Sequence, residues 1–159
     1  MSRQTNHKLL QLSLLQVMRR IIFASIIFVL LGFFQVLIWV VPFRIYARRL
    51  DRTYAQVDKS VDLRQAGGYS RLIGRMVAKV AKITPWPSKC LVQALTVKFL
   101  LRRFKIANEM LIGVAMDDKH KLSAHAWVNV FEITVVGGAN SAEQFKVMKI
   151  FRDSYGNQE

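Results

Sequence analysis

The sequence predicts an α+β domain, a central helix packed on a small antiparallel sheet, preceded by a long hydrophobic N-terminal helix. Three observations carry this. Residues Ile21 to Val41 read IIFASIIFVLLGFFQVLIWVV, 21 positions without a charge. Residues 88–103, SKCLVQALTVKFLLRR, are apolar on most sides of a helix. Beyond residue 106 the period shortens to brief apolar runs divided by turn residues, the signature of strands. A helix followed by an antiparallel meander buries both apolar faces in two layers.

The apolar segment comes first. As a helix it spans roughly 30 Å, about one bilayer core. Arg19 and Arg20 precede it, and Arg44, Arg48, Arg49 and Arg52 follow. Trp39 and Tyr46 lie near its downstream end, where amphipathic rings favour an interface, and Pro42 stops the helix. Residues 1–50 are therefore expected to be a membrane anchor, single-pass or peripheral, with the C-terminal domain cytoplasmic. The alternative is a buried or dimerising helix of a soluble protein. A cleavable signal peptide is not expected, because the run is too long and no small-residue cleavage pattern follows.

Charge supports this division. Of the net +14, residues 1–55 carry +7, residues 56–84 carry +4 and residues 85–159 carry +3. The excess flanks the apolar segment and is not concentrated on the globular half, so nucleic acid is not the expected partner. One cysteine rules out a disulfide framework and any multi-Cys metal site; with only three histidines, neither metal nor cofactor is expected.

Residues 51–68 turn polar and contain Gly67-Gly68, which reads as a linker with a break. The domain is expected over 69–159. Residues 69–83 place Leu72, Ile73, Met76, Val77, Val80 and Ile83 at helical spacing, with Arg75, Lys79 and Lys82 opposite. Thr84-Pro85-Trp86-Pro87 forces an extended stop. The central helix then opens with Ser88 as its cap and Arg102, Arg103 and Lys105 at its C-terminal end. Residues 110–115, 123–130 and 133–136 read as three strands, with Phe131-Glu132 as a tight connection and Gly137-Gly138 as the end.

Two side chains invite a catalytic reading. Cys90 falls in the first turn of the central helix, where unpaired N–H groups and the helix dipole favour a thiolate. His125 lies on the second strand. An imidazole beside a thiol can take its proton and later protonate a leaving amine. By spacing alone, an inert buried cysteine and a packed histidine remain the commoner reading. His7, in the basic N-terminus, and His120, in a polar loop, look solvated. Trp86 and Trp127 wall the site or fill the core. Gln93, one turn after Cys90, donates to an oxyanion or satisfies a backbone carbonyl.

The stretches PWPSKCLVQALTVKFLLRRFKI (85–106), LIGVA (111–115), AHAWVNV (124–130) and VVGG (135–138) resemble the leader peptidases of lasso-peptide (microcin-type) biosynthesis. VPFRIYARRL (41–50) is similar to the segment that ends that family's apolar N-terminal helix. The resemblance covers most of the chain from about residue 20 to 151. It implies a papain/transglutaminase-like fold, with Cys90 as nucleophile and His125 as general base and acid. The implied reaction removes the leader of a ribosomally made precursor peptide through a thioester acyl-enzyme. A macrolactam-forming cyclase and a separate leader-recognition protein are the implied partners. One departure stands out. The family commonly places an Asp after the His strand, where this chain has Val135-Val136-Gly137-Gly138. Asn129, Asn140 and Glu143 are the candidates for that third role, while Glu132 sits at the far turn. A catalytically impaired scaffold that holds precursor and cyclase at the membrane is the alternative.

Overall fold

The computed structural model describes residues 2–50, 52–54, 63–116 and 121–155. A single helix, α1 (Ser2–Val40), occupies the N-terminal region. Pro42, at φ −56°, ends it and opens the short α2 (Phe43–Ala47). The expected boundary at Pro42 is thus observed.

Along α1 the apolar side chains divide between two surroundings. Ile27, Leu31, Phe34 and Gln35 are buried in the domain, whereas Ile22, Ile26, Val29, Phe33 and Val36 face outward. Trp86 packs on the buried side, its ring 5.0 Å from that of Phe28 and close over Gly32. Leu14–Val40 is long and apolar enough to cross a membrane. The inner face of its second half, however, is part of the domain core.

The linker expected over 51–68 is corrected at both ends. β1 (Arg52–Tyr54) joins the sheet, and α3 (Leu63–Ala81) begins well before Gly67. Gly67-Gly68 is helical and breaks nothing. Ala66 is buried and its carbonyl accepts a 2.6 Å hydrogen bond from Ser70 Oγ, so packing carries the helix across both glycines. Each glycine in a helix interior costs about 1 kcal/mol relative to alanine. A Cβ at Gly68 meets nothing within 4 Å. Gly68→Ala is therefore expected to raise stability by up to about 1 kcal/mol, a gain of roughly 2–4 °C in a thermal melt.

α4 (Cys90–Arg103) is the central helix, with Val92, Ala94, Leu95, Val97, Leu100 and Leu101 all buried. Its N-cap is Lys89 and makes no side-chain cap bond. Ser88, the expected cap, instead pairs its hydroxyl with Thr84 Oγ1 at 2.9 Å. The three expected strands follow as β2 (Asn108–Met116), β3 (Leu122–Val130) and β4 (Ile133–Val136). Phe131 and Glu132 form the β3–β4 turn, with φ of 48° and 65°, as a two-residue hairpin requires.

Two further elements complete the fold, α5 (Ser141–Gln144) and β5 (Lys146–Tyr155). The sheet order is β1-β5-β2-β3-β4, antiparallel except for the parallel β1–β5 pair. The helices α3 and α4 lie against β4 and β3, giving two layers.

A buried ionic cluster ties α4 to β5. Asp153, 2% exposed, lies 3.0 Å from Lys98 Nζ and accepts two hydrogen bonds from Arg102, at 2.8 and 3.1 Å. Lys98 also donates to the Phe151 carbonyl at 3.1 Å, and Arg102 to that of Leu50. Arg102 is thus far more than the helix-end charge it was expected to be.

Candidate active site

Cys90 is the first residue of α4 and is a half-buried free thiol. Because no side chain caps this helix, the amides of its first turn remain available to a developing oxyanion. His125 is partly buried on β3, directly opposite Gly113 of β2. Both Cys90 and His125 line one cavity of about 550 Å³. The two expected catalytic side chains therefore share a wall, although 35 positions separate them in the chain.

His125 is held from two sides. Phe145, the residue between α5 and β5, stacks on its ring at 4.8 Å. Room for this comes from Gly113, where a Cβ would stand 2.9 Å from both Phe145 Cβ and the Trp127 ring. On the other side His125 Nε2 lies 2.6 Å from the Gly137 carbonyl oxygen. A carbonyl only accepts, so Nε2 carries a proton, and Nδ1 is the nitrogen that bears the lone pair in the neutral tautomer this contact selects.

Gly137 can present its carbonyl this way because its φ is +104°. A Cβ there would lie 2.8 Å from Trp127 Cα, closer than any real contact. Ser141 Oγ donates to the same carbonyl at 2.7 Å and to that of Gly138 at 3.0 Å, fixing the loop. The position where a carboxylate was missing thus carries a backbone acceptor. Sequence reasoning missed it because a carbonyl belongs to every residue; the visible signal was the Gly-Gly pair.

The side chains proposed for the third role do not fill it. Asn129 shares the strand face of His125, but four residues along a strand is about 13 Å. Its Oδ1 accepts a hydrogen bond from Thr134 Oγ1 at 3.0 Å instead. Asn140 and Glu143 are exposed on the α5 turn. Glu132 lines a separate depression with Asn129 and Asp153.

The three expected substrate contacts also resolve. Gln93 Nε2 donates to the Ser88 carbonyl at 2.7 Å, which favours the backbone-satisfying role. Trp127 is fully buried and stacks at 6.1 Å behind His125, and Trp86 packs on α1; neither lines the cavity. The expected solvation of His7 and His120 concerns side chains outside the described residues. Among the described residues no group of three or more His, Cys, Asp or Glu could hold a metal.

The cavity's second wall was not foreseen. It comes from residues 38–43 and Tyr46, the end of α1 and the start of α2. Trp39 lies here, and with the Gln35 amide in the orientation its surroundings require, Trp39 Nε1 donates to Gln35 at 2.9 Å while Gln35 donates to the Pro87 carbonyl at 2.8 Å. That link fastens the wall to the chain just before Cys90. Burial raises the Tyr46 hydroxyl above its usual range, so it stays neutral.

Comparison with known proteins gives one match. Residues 37–149, well over half of the chain, match the family model described as "Transglutaminase-like superfamily". Neither the curated proteins nor the solved structures contain a match.

Proposed function

The chain belongs to the transglutaminase-like superfamily, and on that premise we propose that it is a cysteine peptidase that removes the leader from a lasso-type precursor peptide. The observation that carries the peptidase reading is the shared cavity of Cys90 and His125. The lasso-type substrate is supported by the likeness of residues 85–106, 111–115 and 124–130 to that group of leader peptidases.

In this mechanism His125 Nδ1 takes the proton from Cys90 Sγ. The thiolate attacks the scissile carbonyl, and the amides of the first turn of α4 receive the oxyanion. The imidazolium returns its proton to the leaving amine as the C–N bond breaks. A thioester between leader and Cys90 remains. His125 then takes a proton from water, whose oxygen attacks the thioester and frees the leader acid and the thiol.

Throughout, the Gly137 carbonyl holds the Nε2–H tautomer. It stabilises the imidazolium less than a carboxylate would, because a hydrogen bond to a charged acceptor is about twice as strong. Gly137→Ala pushes a Cβ into Trp127 and displaces that carbonyl. Its expected effect is a loss of about a hundredfold in kcat/KM, within the range general acid–base groups contribute. Thermal melting of the same variant separates this loss from unfolding.

The proposed partners are the precursor, a separate leader-recognition protein and a macrolactam-forming cyclase. The proposed location is the membrane, with the domain on the cytoplasmic side. The outward apolar face of α1 and the exposed Arg44, Arg48 and Arg49 just beyond it support this.

The test is cleavage of precursor by purified chain and recognition protein. Wild type is expected to release the core, while Cys90→Ala and His125→Ala fall to background. Undiminished cleavage by Cys90→Ala would refute the nucleophile. The neutral partner of His125 favours one second reading, an impaired scaffold. For that reading, wild type binds precursor and cyclase yet leaves the leader intact.

A further inference from the structure

We propose that the cavity beside Cys90 and His125 is a specificity pocket for a bulky apolar side chain next to the cleaved bond, and that the α1–α2 junction sets this preference. The inference rests on the peptidase reading and deepens it. One wall is formed by residues 38–43 and Tyr46, the other by Leu91, Ile112, Ala124 and Ala126. Cys90 and His125 supply its reactive groups, and among the described residues no Asp, Glu, Lys or Arg lines it.

At about 550 Å³ the cavity is larger than any one side chain and open to a peptide. An apolar side chain entering it leaves water for Ile38, Val41 and Leu91. A charged one loses its hydration against a wall that is apolar apart from Cys90 and His125, whose charges are engaged in the reaction. The preference is thus written by the segment that ends the apolar helix.

The probes are dipeptidyl acyloxymethyl ketones carrying Leu, Phe, Asp or Lys at either residue, with the full chain in detergent micelles. The Cys90 sulfur forms a bond to the ketone methylene, the carboxylate leaves, and the thiol proton passes through His125 to solvent. Intact mass gives the labelling rate, and iodoacetamide normalises for bare thiol reactivity. At one of the two positions, Leu and Phe are expected to label at least a hundredfold faster than Asp and Lys.

Two variants locate the preference. Val40 is 73% exposed at the cavity rim, so Val40→Glu leaves the fold intact and is expected to narrow the Leu-over-Lys ratio at least tenfold. Ala124→Leu fills the cavity and is expected to slow the Phe probe more than the Leu probe. Equal labelling by all four ketones would overturn the pocket and leave the peptidase standing. A preference untouched by both variants would place the pocket elsewhere and likewise overturn the proposal. If iodoacetamide labels Cys90 and no ketone does, both readings fall.

Discussion

Deleting residues 1–42 is expected to abolish folding, while deleting residues 1–20 leaves a folded domain. Residues 14–20 are all exposed. Ile27, Leu31 and Phe34, by contrast, are buried among the residues of α3 and α4. Each such side chain contributes about 1.5–3 kcal/mol. Their combined loss, about 5–9 kcal/mol, matches the whole stability of a typical domain. The longer deletion also removes Trp39, Gln35 and most of the cavity wall. Circular dichroism melts of the two truncations decide this. A cooperative transition at the full-length temperature for the longer deletion would show that α1 is an appendage and no part of the core.

Asp153→Ala is expected to cost about 3–5 kcal/mol, or roughly 6–20 °C in melting temperature. The carboxylate is fully buried between Lys98, itself 2% exposed at its side chain, and Arg102. Removing it leaves a buried ammonium without its counter-ion, the costliest way to break such a cluster. The effect extends to the candidate site, because Lys98 and Arg102 sit on the helix that begins with Cys90. The cluster fixes that helix to β5 and to the Leu50 carbonyl. A shift of less than about 3 °C would mean that water reaches the cluster and screens it.

The inner face of α1 and the buried Asp153 are the parts of the fold least legible in the sequence. The central helix and β2, β3 and β4 were legible because apolar period, Phe131-Glu132 and Gly137-Gly138 all pointed the same way. β5 was missed because its core-facing Asp153 breaks the alternation that would have announced a strand. The same substitution of charge for apolar packing hid Lys98, although a lysine in a helix apolar on most sides was the available signal. Gly67-Gly68 misled because local propensity was outweighed by the buried Ala66 and Ser70 on the same helix.

For the candidate site, Cys90 and His125 were readable as residue types in context. Their shared cavity and its second wall were not, since residues 38–43 lie far off in sequence and looked only like the end of an anchor. The partner of His125 was sought among side chains and is a main-chain oxygen. Of the two readings of α1, the packed helix describes its inner face, which belongs to the core; its outer face is apolar and long enough to cross a membrane.

The most direct measurement is rapid-quench intact mass spectrometry of the full chain turning over precursor with the recognition protein. A transient adduct is expected, equal in mass to the leader acyl group, located on Cys90 and released by hydroxylamine. Core peptide appearing at the full rate with Cys90 unmodified at every time point would contradict a covalent thiol mechanism.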